Sequence, residues 1–187
     1  MLKPGYFDCV LLLVEAGADL LIRDGEKRTP LDHALARGEN DPIWLYVKER
    51  IIKITYAYLH DKNPATRSIP RDMDLLNTLI AYGFEEEVAE FLAYTPDINS
   101  LRNYLEITPL YWAVSCGNSV IIEKLLVAGA DPNLTQITKK YPKKDKWGFT
   151  PLMEAVVKNN VTNVHLLLKY QADIHVKDAH GKTAYDH

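Results

Sequence analysis

The chain has 187 residues, enough for one domain or two small ones; 25% of them are charged, and the formal net charge is −3. This balance is ordinary for a protein in water and gives no general case for nucleic-acid binding. No apolar run approaches the ~18 residues of a transmembrane helix, the start lacks the long apolar segment of a signal peptide, and the wide separation of Cys9 from Cys116 favours two reduced thiols over a disulfide.

The first predicted helix covers Gly5 to Glu15 and precedes Gly17. Its apolar residues Val10, Leu13 and Val14 have helical spacing, which predicts one buried face. We expect this helix to be the second of a helix pair whose first member is absent from the sequence.

The next pair begins at Thr29, a good N-cap, followed by Pro30, which is tolerated in a first helical turn. A second helix starts after Asp41. Because residues 48–59 contain neither Gly nor Pro, we predict that this helix is about three turns longer than usual. A loop is predicted over residues 60–71, where Asn63-Pro64 and Ile69-Pro70 interrupt helical structure.

A third pair is predicted from Asp74 to Asn99, with a turn at Gly83. Val88, Phe91 and Leu92 form the apolar face of its second helix. The segment is strongly acidic and could act as an internal partner for the lysine-rich residues 134–147.

The best-preserved pair covers residues 107–133. Thr108 and Pro109 start a short helix that Gly117 ends, and a second helix is predicted from Ser119 to Ala128. Two short helices cannot bury their apolar faces alone, so such a unit needs neighbours of the same kind.

The last pair covers Thr150 to Tyr170, and Thr183 lies 33 residues after Thr150. The chain ends at residue 187, within a further unit. We therefore expect a piece of a longer protein, or ends that other elements cover.

These features resemble the ankyrin repeat family. The quoted motifs are Thr108-Pro109-Leu110-Tyr111-Trp112-Ala113 and Thr150-Pro151-Leu152-Met153-Glu154-Ala155, together with Gly129-Ala130-Asp131-Pro132-Asn133. The 33-residue period is also that of the family. The resemblance implies an all-α solenoid of helix–turn–helix units joined by β-turn loops.

The predicted organisation is a single array over residues 1–187. It comprises a partial repeat at 1–19, repeats at about 20–70, 71–99, 100–133 and 139–175, a partial repeat at 176–187, an extended helix and loop at about 48–71, and an insertion at 134–147. The family's histidine after Thr-Pro-Leu is replaced in every unit, by Asp32, Asn77, Tyr111 and Met153, which predicts a lost hydrogen bond between turns.

The resemblance also implies a concave surface that binds a partner protein. Carried over by position, its residues include Tyr82, Tyr104, Leu105, Ile107, Ser115, Cys116, Trp147, Phe149, Lys158 and Asn159. We expect the aromatic and aliphatic members to be exposed together, as in the energetic centres of protein interfaces. The alternative is that the insertion folds over them.

The lysine-rich insertion, residues 134–147, is the clearest irregularity. It adds Lys139, Lys140, Lys143, Lys144 and Lys146 to the predicted partner surface. An electrostatic binder of an acidic surface, nucleic acid or membrane is one alternative function, although most lysine-rich loops are simply solvated.

No catalytic residue, metal or cofactor is predicted. His175 and His180 lack the spacing of a zinc site, and Cys116 has no histidine and carboxylate placed beside it by the repeat pattern. Asn99 and Asn133 are expected to hold turns. We expect a non-enzymatic scaffold, located in the cytoplasm or nucleus, with no small-molecule substrate. The alternatives are a recruiting arm of a larger enzyme or of a bacterial effector acting in host cytoplasm.

Overall fold

The structure is a computed structural model that describes residues 6–26, 28–60, 69–95, 97–103, 106–136 and 148–187. In these ranges it is helical and contains no strand, which confirms the all-α prediction. The chain forms two compact units, residues 1–62 and residues 63–187, called here the N-terminal and C-terminal units.

The N-terminal unit contains α1 (Tyr6–Glu15), α2 (Pro30–Leu35) and α3 (Pro42–Leu59). The long helix predicted after Asp41 is present as α3. Its buried side chains include Val47, Ile51, Thr55 and Leu59, which recur every four residues, and the helix contacts α1 and α2. The predicted apolar face of α1 is only partly correct, because Val14 is buried whereas Leu13 is 62% exposed.

The C-terminal unit contains six helices among the described residues. They are α4 (Ile69–Ala81), α5 (Glu85–Ala93), α6 (Pro109–Cys116), α7 (Ser119–Val127), α8 (Pro151–Val157) and α9 (Val161–Lys169), with short 3-10 turns at Ile98–Ser100 and Ala184–Asp186. The interpretation of Ile69-Pro70 as a helix breaker is wrong, because both residues belong to the first turn of α4. Proline is compatible with that turn, where its missing N–H would have no helical partner.

Threonine caps set the starts of the first helices. The hydroxyl oxygens of Thr108 and Thr150 each accept a hydrogen bond from the backbone N–H three residues later, at 3.2 Å. In α2, Asp32 also accepts the backbone N–H of Thr29 at 2.6 Å, which completes a capping box. The Thr-Pro-Leu motif therefore fixes where α2, α6 and α8 begin, whereas α4 begins without it.

Packing in the C-terminal unit follows two rows of helices. The first helices α4, α6 and α8 contact one another in order, and so do the second helices α5, α7 and α9. The core between the rows contains fully buried side chains such as Leu79, Leu110, Ile121 and Leu125. Burial across successive pairs supplies the stability that one pair alone lacks.

Candidate protein-binding surface

The three first helices of the C-terminal unit present one continuous face. The positions are Ala81 at the end of α4 and Tyr82 after it, Trp112, Ser115 and Cys116 on α6, and Val157 at the end of α8 and Lys158 after it, together called the first-helix face. Trp112, Ser115 and Cys116 have i, i+3, i+4 spacing and so lie on one side of α6. Cys116, Val157 and Lys158 are exposed, while Tyr82, Trp112 and Ser115 are half-buried.

A residue with left-handed backbone conformation follows each of these helices at the equivalent position of its repeat. Gly83, Gly117 and Asn159 have φ angles of 71°, 85° and 53°. Asn159 thus occupies the position of the helix-ending glycine. The sequence analysis placed Asn159 one residue before that position, so its alignment of this repeat was wrong by one residue. Asparagine is among the side chains that best tolerate this conformation. Lys158 is consequently the counterpart of Cys116 and Tyr82.

A buried carboxylate lies beneath the face. Glu154 in α8 is 1% exposed; its Oε2 accepts a hydrogen bond from the Tyr111 hydroxyl at 2.7 Å, and its Oε1 accepts one from Ser115 Oγ at 2.9 Å. Lys158 Nζ lies 3.9 Å from the same Oε1. Burial, followed by the nearby charge of Glu154, raises the pKa of Tyr111 above its usual range, so the phenol stays a donor. These bonds join α6 to α8.

Two further contacts position aromatic side chains. The Trp112 indole Nε1 donates to the Asn77 carbonyl at 3.2 Å, which ties α6 to α4. The Tyr82 and Phe84 ring centroids lie 6.2 Å apart. Sequence reasoning missed Trp112 and Glu154, although each stands four residues after a capping threonine, in the equivalent place of two repeats.

The surroundings of the Cys116 sulfur favour the protonated thiol, although the residue as a whole is exposed. Burial around its sulfur raises the pKa of the thiol to about 11, and the charge of Lys158 opposes this only partly. The thiol is therefore protonated at neutral pH, and the thiolate is the reactive form.

The predicted exposure of Ile107 and Phe149 is wrong. Ile107 is 6% exposed and Phe149 is 2% exposed, and the Phe149 ring lies 4.6 Å from the His187 ring, centroid to centroid. Both residues directly precede a threonine that caps a helix. Neither belongs to an accessible surface.

Several predicted residues lie outside the described part of the chain. These are Tyr104, Leu105, Lys139, Lys140, Lys143, Lys144, Lys146 and Trp147. The structure does describe the base of the lysine-rich insertion, where Gln136 N donates to Phe149 O at 2.8 Å and Gly148 N donates to Gln136 O at 3.1 Å. The insertion therefore leaves and rejoins the repeat at one point, immediately before α8.

Side chains also organise the turns that precede the first helices. Asp24 and Asp178 accept backbone N–H groups of their own turns, and the ring Nε2 atoms of His33 and His187 lie 2.7 and 2.9 Å from these two carboxylates. Each histidine stands one position after the place of the family's histidine and contacts the aspartate of the turn before its own helix. The backbone N–H of Arg28, followed by His33, lowers the pKa of Asp24 to about 2.

Asn99 and Asn133 connect successive turns, as their predicted structural role requires. Asn99 donates to Gly129 O at 2.9 Å and accepts from Asp131 N at 2.8 Å. Asn133 accepts from Asp173 N at 2.7 Å.

The described residues contain no group of three or more His, Cys, Asp or Glu side chains arranged to hold a metal ion. None of the described helices is long and apolar enough to cross a membrane.

Comparison with known proteins gives one family. Residues 76–178 match the family described as ankyrin repeats (3 copies). The chain is 37% identical over 92 residues to mouse 2-5A-dependent ribonuclease, covering 49% of this chain and 11% of that protein.

Two longer matches are weaker. Human palmitoyltransferase ZDHHC13 is 25% identical over 166 residues, covering 89% of this chain and 24% of that protein. Mouse Rabankyrin-5 is 24% identical over 159 residues, covering 72% of this chain and 13% of that protein. The chain thus spans a quarter or less of each of these relatives.

Proposed function

Because the chain belongs to the ankyrin repeat family, we propose that it is a protein-binding module that holds its partner on the first-helix face of the C-terminal unit. Ankyrin repeats generally mediate protein–protein interactions. The finer statement, that this face is the one used, is supported by its residues. Tyr82, Trp112 and Val157 offer aromatic and aliphatic surface of the kind that dominates binding energy in interfaces.

The single observation that carries the proposal is the hydrogen-bond network under the face. Glu154 fixes Tyr111 and Ser115, and Trp112 is fixed by the Asn77 carbonyl. Side chains that are held in place before association lose less conformational entropy on binding. A partner therefore meets a preorganised surface that still has exposed positions at Cys116 and Lys158.

The lysine-rich insertion is included in this proposal as an adjacent contact. Its base is fixed beside Phe149, at the start of α8. Its five lysines favour a partner with acidic groups next to the apolar contact. Neutralising Lys139, Lys140, Lys143 and Lys144 together should weaken binding and flatten its salt dependence; binding that is salt-insensitive and unchanged would exclude the insertion from the interface.

A photo-crosslinking experiment tests the surface directly. Benzoylphenylalanine is placed at Cys116 in one variant and at His165 in the other; His165 is an exposed residue in the middle of α9, a second helix, and is not part of the first-helix face. We expect a specific protein adduct from position 116 and little or none from position 165. Equal labelling at both positions, or labelling only at 165, would contradict the proposal.

The relatives favour a second candidate function, the recruiting arm of a larger enzyme. A ribonuclease and a palmitoyltransferase are among the proteins that contain a similar segment, and the chain covers 11% and 24% of them. In this case the segment binds a protein substrate and catalysis lies elsewhere. Deleting residues 63–187 from the parent protein should then lower activity on a protein substrate and leave a minimal peptide substrate unaffected; an equal loss on both would count against a recruiting role.

We also propose an intracellular location, in the cytoplasm or nucleus. Cys9 and Cys116 are both exposed and form no disulfide. Exposed free thiols persist in reducing compartments. Imaging of the tagged protein checks this location, and an extracellular or vesicle-lumen signal would contradict it.

A further inference from the structure

An open apolar groove of about 440 Å³ lies within the N-terminal unit. Its walls are α1, which contributes Leu13, and α2, which contributes His33 and Ala34. The helix α3 contributes Ile43 and Val47. Leu13 is 62% exposed although it lines the groove, so part of the apolar lining lies open to solvent.

The α1 wall is equivalent to the apolar face of α7. Gly17 and Gly129 follow these two helices with φ angles of 87° and 90°. In both turns the backbone N–H of the residue after the glycine donates to a leucine carbonyl, that of Leu13 or Leu125, at 3.0 Å. These two leucines therefore occupy the same place in their repeats. Leu125 is completely buried, whereas Leu13 lacks such cover.

A first helix supplies much of the cover in the C-terminal unit. There α7 packs more extensively against α6, the first helix of its own pair, than against α5 or α9. In the N-terminal unit α1 packs against α3, and the described residues include no first helix that pairs with α1 as α6 pairs with α7. The open face of α1 is thus the face that a first helix covers elsewhere in this chain.

The α2 wall indicates the same kind of occupant. His33 stands four residues after its capping threonine. At the equivalent position of α6, Trp112 Nε1 donates to the Asn77 carbonyl of α4 at 3.2 Å. At the equivalent position of α8, Glu154 accepts from the Tyr111 hydroxyl of α6 at 2.7 Å. This position therefore faces the preceding first helix in both cases, and in α2 it faces the groove.

The charged groups of the lining already have partners inside the N-terminal unit. His33 Nε2 lies 2.7 Å from Asp24 Oδ2, and Arg37 Nε lies 3.1 Å from Asp41 Oδ2. The other lining residues are apolar. The groove therefore favours an occupant whose contacting side is uncharged, because an unpaired charge buried there would lose its hydration. The first helix α6 has this character, since residues 109–116 contain no charged side chain.

We propose that this groove binds a helix of a partner protein that has the chemistry of a first helix of this chain. Such a helix is uncharged and apolar on the contacting side and has a small residue near its middle, as α6 has at Ala113 and α8 at Ala155, both completely buried. Docking of a helix into a preformed apolar groove is a common mode of recognition. The site uses none of the first-helix face, so it stands or fails independently of the function proposed above.

The test measures the binding of fluorescent peptides to the full chain. The α6 peptide has the sequence of residues 107–118, with a hydrocarbon staple between positions 112 and 116, which are not among the buried residues of α6. A control peptide also carries Leu110→Asp and Val114→Asp, at two buried positions of α6. We expect the α6 peptide to bind saturably in fluorescence anisotropy, at least tenfold more tightly than this control. Absence of binding, or equal affinity of the two peptides, would overturn the proposal.

A second-helix peptide tests whether the groove selects a first helix. It has the sequence of residues 118–129 and a staple between positions 120 and 124, which are not among the buried residues of α7. We expect its affinity to be at least fivefold lower than that of the α6 peptide. If both bind equally well, the groove accepts any apolar helix, and the proposed occupant is wrong.

Two neighbouring leucines of α1 provide matched variants of the chain. Leu12 and Leu13 are 63% and 62% exposed, and of the two only Leu13 lines the groove. Leu13→Asp should weaken binding of the α6 peptide at least tenfold, whereas Leu12→Asp should change it less than twofold. Circular dichroism verifies that both variants are folded. If Leu13→Asp binds the peptide as the unmodified chain does, the groove is not the site.

Three further measurements examine other sites and other occupants. Cys116→Arg alters the first-helix face and should change peptide affinity less than twofold; a loss equal to that of Leu13→Asp would overturn the proposal. Deleting residues 1–5 should also change it less than twofold, and a tenfold gain would show that the chain's own N-terminal segment fills the groove. In sedimentation, a dimer that Leu13→Asp dissociates and Leu12→Asp does not would show that a second copy fills it. Either result would overturn binding of a partner helix.

Discussion

Removing the Glu154 carboxylate should destabilise the C-terminal unit strongly. Hydrogen bonds to charged groups contribute about 1.5–3 kcal/mol each, and a buried donor left without an acceptor costs about 1–3 kcal/mol. Glu154→Ala removes two such bonds and leaves the Tyr111 hydroxyl buried, although it also removes the cost of burying the carboxylate. We expect the free energy of unfolding to fall by about 3 kcal/mol.

Replacing the whole network should be much less costly. The triple variant Glu154→Leu, Tyr111→Phe, Ser115→Ala leaves no unpaired group from this set, and apolar replacement of buried polar networks is often close to neutral. We therefore expect a loss of about 1 kcal/mol or less for the triple variant.

Urea unfolding followed by far-ultraviolet circular dichroism measures the free energy of unfolding of both variants. The comparison holds if the dependence of this free energy on urea concentration is the same for each. Tryptophan fluorescence must give the same midpoint for the two-state treatment to hold. The reasoning is refuted if Glu154→Ala costs less than about 1 kcal/mol, or if the triple variant is as unstable as Glu154→Ala.

Three further predictions concern local conformation, core polarity and pH. Gln171 has a φ of 62° where Gly129 stands in the preceding repeat, so Gln171→Gly should raise the free energy of unfolding by about 0.5–1 kcal/mol; an unchanged urea midpoint would show that the strain is absent. Both amide atoms of Asn163, which is fully buried, lack a hydrogen-bond partner among the described residues, so Asn163→Val should stabilise by about 1 kcal/mol, and a lower melting temperature would count against this. The pKa of Asp24 is lowered from 3.8 to about 2, so its contribution to stability is present above pH 4 and is lost as the pH falls towards 2; Asp24→Asn should remove that part of the acid dependence, which titration of the unfolding midpoint measures.

Local signals in the sequence were sufficient for the helix starts. Thr108 and Thr150, each followed by proline, set α6 and α8 because capping and a fixed proline φ act within one turn. The long α3 was also predictable, since nothing between residues 48 and 59 interrupts a helix. The same local reasoning failed at Ile69-Pro70, because proline permits a helix start as readily as it prevents a helix interior.

The candidate surface was predictable in position but not in detail. Family positions located Ser115, Cys116 and Lys158, which the structure leaves exposed or half-buried, but they also included Ile107 and Phe149, which are buried. The Tyr111–Glu154 bond joins residues 43 apart in sequence, and no local pattern reveals such a pair. Such long-range contacts decide which side chains are held in place. Local sequence patterns do not predict them, so the residues that are held in place could not be named from the sequence.

The most direct test of binding through the first-helix face uses the protein captured by photo-crosslinking. Its affinity for the chain is compared between two arginine variants. Cys116→Arg places a long cation on the first-helix face, and His165→Arg places the same side chain at an exposed position in the middle of α9. We expect Cys116→Arg to weaken binding at least tenfold and His165→Arg to change it less than twofold. Equal affinities for the two variants would contradict binding through the first-helix face.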